Sequence, residues 1–299
     1  MRHPQTNEYI PAAWENVNCP VCNSNAHTVY ERFGHKLQYT YVKCQSCGLI
    51  YSSPRPRYDQ DYIDSCYATY QFFEEASVAD LGKIHTSSVH MFEKEVQQLI
   101  KFDKQRTNVL DIGSGMGTFL YAAKPFYKKL TGLDVSEKMA GFVRREIGVE
   151  VLLQQFQDHQ SAEPYSLIHM SHVIEHIPNP NDWLKHAKNL LLPNGILVIN
   201  VPNKLALSNL VQHYLYKLGL KKQFSSSWND PTRTPDHLYE PTIPSFRRLI
   251  AQNGFKVLAC YTYSRKDPVS DANLFTRLFH RYLRLGSNIT FITTPVKAG

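Results

Sequence analysis

The stretch Asn108-Val109-Leu110-Asp111-Ile112-Gly113-Ser114-Gly115-Met116-Gly117-Thr118-Phe119-Leu120 decides the fold. Its first five residues are apolar apart from Asn108 and Asp111, as a buried strand requires. Gly-x-Gly-x-Gly follows, and then a helix-like run from Thr118 to Tyr127. Such a strand–glycine loop–helix unit predicts a nucleotide-like ligand lying against the start of a helix. The glycines let the backbone turn tightly and approach the ligand closely. The first N–H groups of a helix have no partner within it and face outward. A glycine loop alone is a weak signal, so its surroundings have to carry the argument.

The next segment, Lys129-Leu130-Thr131-Gly132-Leu133-Asp134, reads as a second short strand ending in an acid, 19 residues beyond Gly115. A carboxylate there suits a ribose diol. A dinucleotide fingerprint places its third glycine one position later, but position 118 is Thr and the third glycine is Gly117. With Asp111 ahead of it, this compact spacing resembles motif I of the class I S-adenosylmethionine-dependent methyltransferases. The resemblance implies that Asp111 lies near the amino end of the methionine moiety. It also implies that Gly113, Gly115, Gly117, Asp134, Val135 and Ser171 bind the cofactor.

Downstream, strands and helices alternate. Ser136 can cap a helix that Gly148 closes. Val149 to Leu153 and Ser166 to Met170 are strands. Asp182 can cap a helix through Leu192, which Pro193-Asn194-Gly195 stops. Gly195 to Val201 is a strand, Thr242 to Asn253 a helix, and Phe255 to Tyr263 and Asn288 to Val296 the last strands. Upstream, apolar residues at Val89, Phe92, Val96, Leu99 and Ile100 predict a helix. The pattern predicts an α/β, doubly wound, Rossmann-like sheet with ligands at the C-terminal strand edges. The resemblance adds that the sheet has seven strands, the last of them antiparallel.

Four of the six Cys form Cys19-Pro20-Val21-Cys22 and Cys44-Gln45-Ser46-Cys47-Gly48. Each C-x2-C turn aims two thiolates at one point, and two such turns supply a closed S4 site for a structural zinc. Disulfides, a redox pair or an iron centre are the competing readings. Against disulfides, the chain shows no export signal; against a redox pair, no thioredoxin-like context surrounds either turn. Cys66 and Cys260 read as packing residues. The run Cys47-Gly48-Leu49-Ile50-Tyr51-Ser52-Ser53-Pro54-Arg55-Pro56 resembles the zinc-ribbon front end of many bacterial small-molecule methyltransferases. The expected organisation is a zinc-ribbon-like module over 1–57, a helical linker or lid over 58–105, and a methyltransferase domain over 106–299. An insertion at about 203–236 would cover the substrate site. The aromatic stretch Tyr58 to Phe73 reads equally as a lid or a docking surface.

The fourth strand runs into Ser171-His172-Val173-Ile174-Glu175-His176-Ile177-Pro178. This resembles the E-x-L-E-H-I motif of small-molecule methyltransferases of the ubiquinone-biosynthesis type, and Pro235-Asp236-His237 with the helix after it resembles a later segment of the same group. Read without that context, His172 to His176 matches an inverted zinc-protease signature, which needs a long helix that Pro178 forbids. In one helical turn, His172, Glu175 and His176 share a face. With His237 they can position an acceptor hydroxyl, take its proton, or hold a divalent metal. In a related branch acting on RNA 3′ ends, the matching motif holds magnesium. His172 stands where that branch has Glu, and this disfavours magnesium.

The chain has 299 residues, 42% of them hydrophobic, which suffices for one α/β core plus a small module. No apolar run is long enough to span a membrane, and Met1-Arg2-His3-Pro4 opens no signal peptide, so a cytoplasmic location is expected. From Val201 to Gly299 there are 14 Lys and Arg against 5 Asp and Glu, but they are dispersed. The expected function is methyl transfer from S-adenosylmethionine to a small-molecule hydroxyl of a sugar, lipid precursor or natural-product intermediate. The alternatives are an RNA 2′-O-methyltransferase, for which no dense basic patch speaks, and a non-catalytic cofactor-binding scaffold.

Overall fold

The structure, a computed structural model, describes residues 9–33, 38–66, 81–220, 235–264 and 282–296. The later part of the aromatic stretch, and Lys221, Lys222 and Trp228 of the insertion, lie outside the described residues. Contacts divide the chain into two compact units that interleave along the sequence. The first comprises Met1–Ala79, Glu175–Pro180 and Pro202–Leu249; the second comprises Asp80–Ile174, Asn181–Val201 and Ile250–Gly299.

The second unit is built on a seven-stranded sheet. Its strands are β6 (Asn108–Ile112), β7 (Lys129–Asp134), β8 (Glu150–Leu153), β9 (Tyr165–Ser171), β10 (Leu191–Pro202), β12 (Phe255–Tyr263) and β13 (Asn288–Pro295). Their order across the sheet is β12-β13-β10-β9-β6-β7-β8. Parallel pairing joins β10 to β9, β9 to β6, β6 to β7 and β7 to β8, while β13, the last in sequence, runs antiparallel to β12. All seven expected strands form. Their near-continuous apolar runs, such as Leu167, Ile168 and Met170, suit strands buried on both faces.

Helix α2 (Leu81–Leu99) sets Val96 and Leu99 into a core with Val109, Leu167, Val198 and Ile292. A second core gathers Leu120, Ala140, Val143, Ile147 and Val151. Each fully buried Val, Leu or Ile among them contributes about 1.5–3 kcal/mol through removal of apolar surface from water. Helix α3 is shorter than the predicted run, ending at Ala123 (Thr118–Ala123), because Pro125 has no N–H to continue the ladder. Helix α4 (Glu137–Phe142) starts as expected, with the Ser136 hydroxyl accepting from the Met139 N–H at 3.3 Å. It continues as a π-helical turn, Val143–Ile147, that closes at Gly148 with φ +67°. Helix α5 (Pro180–Leu190) begins two residues before Asp182, which falls in the first turn instead of capping it. Proline's fixed φ and missing N–H suit that first position. Pro193-Asn194-Gly195 does not separate helix from strand. It is an irregularity within β10, where the register shifts between Leu191 and Ile196.

In the first unit, β2 (His27–Phe33), β3 (Tyr39–Cys44) and β4 (Ile50–Ser52) form an antiparallel meander. A fourth strand comes from far along the chain: β11 (Tyr239–Glu240) pairs with β4, Tyr239 opposite Tyr51 and Glu240 opposite Ile50. Two short strands, β1 (Trp14–Glu15) and β5 (Arg55–Pro56), pair separately, and helix α1 covers 60–66. The insertion forms helix α6 (Leu207–Lys217). Helix α7 (Ile243–Gln252) follows Thr242, whose hydroxyl accepts from the Ser245 N–H at 3.3 Å.

Candidate functional site

The glycine loop leaves β6 after Ile112. Gly113, Gly115 and Gly117 have φ of +66°, +49° and +68°, the left-handed region that favours glycine. The three are held for different reasons. A Cβ on Gly113 would meet Val173 Cγ2 at 2.6 Å, and one on Gly117 would meet Ile147 Cδ1 at 2.7 Å and Val143 Cγ2 at 2.8 Å. A Cβ on Gly115 would meet nothing within 4 Å, so its missing side chain leaves an open approach on that side of the backbone. Asp134, at the end of β7, accepts from the Gly115 N–H at 2.7 Å and the Ser136 N–H at 2.9 Å. Burial pushes its carboxyl above the usual range, against these backbone hydrogen bonds. Open backbone at Gly115 beside a half-buried carboxylate fits the ribose side of S-adenosylmethionine. Val135 is exposed beside Asp134, and Ser171 ends β9.

Asp111, expected at the amino end of the cofactor, is buried, and its Oδ1 accepts from Nδ1 of His169 at 2.7 Å. Sequence reasoning missed His169 together with the groups around it, Glu95 of α2 and Asn200 of β10. The available signal was a lone His inside the otherwise apolar strand Leu167-Ile168-His169-Met170. His172, just past β9, adopts the left-handed region at φ +56°, and its N–H donates to the Asn200 carbonyl at 2.9 Å. For a non-glycine residue this is a strained turn of the kind found at functional sites.

The other three expected catalytic residues, Glu175, His176 and His237, belong to the first unit and are gathered there. Their ligand-type atoms lie within 4.8 Å of one another, and the two imidazole rings meet edge-on at 4.9 Å. His172 is not in this group and belongs to the second unit. His176 Nδ1 lies 2.8 Å from the Asp236 carbonyl, so it carries the proton and leaves the lone pair on Nε2. Burial holds His176 below the usual histidine range, against the pull of Glu175 and Asp236. His237 goes the other way: burial is outweighed by Glu240, with Asp236 and Glu175 adding to it, and its pKa rises to about 9. Two imidazoles of one cluster are thus separated, one neutral and one protonated at neutral pH.

Behind His237 lies a network with no sequence signal. Glu240 Oε1 is 3.6 Å from His237 Nδ1, and Glu240 Oε2 is 3.9 Å from Lys204 Nζ. Lys204 Nζ also pairs with Glu31 of β2 at 2.7 Å and lies over the rings of Tyr30 and Tyr41. The Lys204 side chain is 5% exposed and that of Glu31 3%. Burial raises the Glu240 carboxyl, but Lys204 and His237 outweigh it and bring it down to about 2.

All four front-end thiols, Cys19, Cys22, Cys44 and Cys47, are free of disulfides, and their sulfurs lie within 4.8 Å of one another. Cys19 and Cys47 bring their sulfurs to 3.4 Å, and Cys22 and Cys44 to 3.5 Å. Tetrahedral zinc with Zn–S bonds of about 2.3 Å needs sulfurs about 3.8 Å apart, so the donor set fits that ion. Two matching turns build it. Asn23 donates to the Cys19 carbonyl at 2.8 Å and Gly48 to the Cys44 carbonyl at 3.0 Å, and both donors have positive φ.

A mostly parallel α/β sheet in this strand order, with a glycine loop after its first strand and an acid ending its second, is the fold of the class I S-adenosylmethionine-dependent methyltransferases. Sequence comparison agrees: the family described as "Methyltransferase domain" matches residues 88–259, and the chain belongs to that family. Ubiquinone biosynthesis O-methyltransferase of Aeromonas salmonicida (strain A449) is 30% identical over 103 residues, 32% of this chain and 43% of that protein. The protein of the same name from Caulobacter sp. (strain K31) is 26% identical over 148 residues, 46% of this chain and 58% of that protein. The chain thus spans about half the length of the curated relatives it matches.

Among solved structures, a S-adenosylmethionine-dependent methyltransferase from Clostridium acetobutylicum ATCC 824 superposes with TM-score 0.51 at 11% identity, over 78% of this chain and 100% of that one. The plantazolicin methyltransferase BpumL does so with TM-score 0.51 at 17% identity, over 79% of this chain and 97% of that one. These likenesses are of fold. No helix among the described residues is long and apolar enough to cross a membrane.

Proposed function

We propose that the protein transfers the methyl group of S-adenosylmethionine to a hydroxyl of a small-molecule acceptor: a sugar, a lipid precursor or a natural-product intermediate. The observation that carries the reading is the loop itself, three left-handed glycines after Asp111 with the Asp134 carboxylate closed onto the Gly115 N–H. Asp111, Gly113, Gly115, Gly117, Asp134, Val135 and Ser171 would hold the donor. S-adenosylmethionine bound there supplies an electrophilic methyl group on a sulfonium. The curated relatives are named for O-methylation, which supports a hydroxyl acceptor.

Methyl displacement depends chiefly on alignment, but a hydroxyl nucleophile gains from losing its proton. His176 suits that role: it is held neutral, with Nδ1–H fixed on the Asp236 carbonyl, so Nε2 takes the proton. His237, protonated beside Glu240, offers a positive N–H to the oxygen as its charge develops. The Glu175 carboxylate, within 4.8 Å of both imidazoles, favours their protonated forms, and His172 is the second candidate base. Cys19, Cys22, Cys44 and Cys47 hold a structural zinc that organises the first unit, since four protein ligands leave no open position for chemistry.

Calorimetric titration with S-adenosylmethionine and, separately, NADH tests the donor. Micromolar binding of S-adenosylmethionine that is lost in Asp134→Ala is expected, and binding of NADH alone overturns the reading. Transfer of a labelled methyl group to hydroxylated acceptors, slowed at least about a hundredfold by His176→Ala, tests the chemistry. Transfer unaffected by that substitution removes His176 from the mechanism.

A further inference from the structure

Beneath the glycine loop, polar side chains from five elements of the second unit are buried together. His169 stands in the middle of β9 with its side chain 1% exposed. Its ring stacks on Phe119 of α3 at 3.7 Å and 11°, and meets the edge of Phe92 of α2 at 6.0 Å. Nδ1 donates to Asp111 Oδ1 of β6 at 2.7 Å. On the other side, Asn200 Nδ2 of β10 lies 3.3 Å from His169 Nε2 and donates to Glu95 Oε1 of α2 at 2.8 Å. Asn200 Oδ1 accepts from the Thr290 hydroxyl of β13 at 2.7 Å. Glu95 Oε1 itself is 3.8 Å from His169 Nε2.

A sheet core has no structural need of this group. Apolar side chains of similar volume in place of buried charged and polar ones are often neutral or stabilising. The chain of contacts also has a direction. Thr290 fixes Asn200, Asn200 fixes both Glu95 and His169, and two aromatic rings prevent the imidazole from turning. It ends on Asp111, two residues before the first loop glycine. Burial alone would lower the His169 pKa, but the hydrogen bond and charge of Asp111, with Glu95, bring it above the ordinary histidine value. A carboxylate can only accept, so the 2.7 Å contact places a proton on Nδ1 whether the ring is neutral or charged.

We propose that His169 is a positioning residue of the methyl-donor site: held by Asn200 and Glu95, it fixes one carboxylate oxygen of Asp111 and so presets the acceptor for the cationic amino-acid end of the donor. The proposal rests on the donor reading above and adds to it a residue that no motif contains.

The test is a double-substitution cycle read by calorimetric titration with S-adenosylhomocysteine, which has the same amino-acid end and needs no acceptor. His169→Leu is expected to weaken binding about tenfold or more in the otherwise unchanged chain, and less than twofold in an Asp111→Ala background. A merely structural role would weaken binding equally in both backgrounds, and that result overturns the proposal. So does unchanged binding by a folded His169→Leu.

Should His169→Leu fail to fold, two polar variants decide. His169→Asn places an amide N–H where Nδ1 was and is expected to stay within about threefold, whereas His169→Gln places its amide toward the Nε2 side and is expected to lose affinity. Equal affinities of Asn and Gln overturn the proposal. Failure of the unmodified chain to bind takes the donor reading down with it. Binding that is insensitive to position 169 takes down this inference alone.

Discussion

Replacing Lys204 with Met should expose how far the first unit depends on one buried cation. Met keeps an unbranched apolar side chain but removes the ammonium that lies over the Tyr30 and Tyr41 rings and faces Glu31 at 2.7 Å and Glu240 at 3.9 Å. Both carboxylate side chains are 8% exposed or less, so neither can turn to water for compensation. Removing one partner of a buried pair leaves an uncompensated charge and costs about 3–5 kcal/mol. The cost falls on the strands the network joins, β2 through Glu31 and β11 through Glu240.

The assay is hydrogen exchange of the paired β3–β4 amides at Tyr41 and Val42. At about 1.4 kcal/mol per tenfold, exchange through unit opening should speed up by two to four orders of magnitude. The effect should depend on pH. Burial already raises the Glu31 carboxyl, against the pull of Lys204. Without Lys204 it rises further, and a group whose folded pKa is raised loses its stabilising proton as pH increases. The variant should therefore be nearer to wild type at pH 5 than at pH 8. Protection reduced by less than about tenfold at pH 8, or reduced equally at both pH values, would refute the reasoning.

Two loop glycines should fail differently: Gly117→Ala meets Val143 and Ile147 and should cost about 2–4 kcal/mol of stability, whereas Gly115→Ala, with nothing within 4 Å, should fold but bind S-adenosylmethionine poorly, as thermal unfolding and calorimetry would report. Native mass spectrometry should find one zinc per chain. Chelation or Cys44→Ser should then abolish hydrogen-exchange protection in β2–β4 and leave β6 and β7 protected. His237, raised to about 9, binds its proton more tightly in the folded state, so its contribution is whole below pH about 6.5 and is lost as pH rises through about 9. That loss amounts to about 3 kcal/mol, counting the pair with Glu240 once, and denaturant titrations from pH 6.5 to 9.5 should show it in wild type and not in His237→Gln.

The sequence by itself determined the local chemistry. Strand and helix periodicities located all seven strands of the large sheet, because a buried parallel strand is written as a continuous apolar run that needs no partner to be recognised. The glycine loop and the two C-x2-C turns were legible for the same reason: each is a device a few residues long whose backbone geometry demands its residue types. Helix ends were less legible. Proline at the start of α5 and the irregularity inside β10 are settled by packing against neighbours, not by local propensity.

What only the tertiary structure decided is which distant residues meet. Tyr239 and Glu240 complete a sheet begun two hundred residues earlier, and a two-residue strand has no pattern of its own to announce it. Lys204 finds Glu31 across 173 residues, and Asn200 finds Glu95 across 105. In the sequence these are ordinary polar residues. Burial makes them matter, because in a low-dielectric interior each buried charge must meet its partner or destabilise the fold. Burial lowers the proton affinity of both His176 and His237, and the neighbouring Glu240 raises that of His237 alone, a distinction that two identical side chains carry nowhere in the sequence.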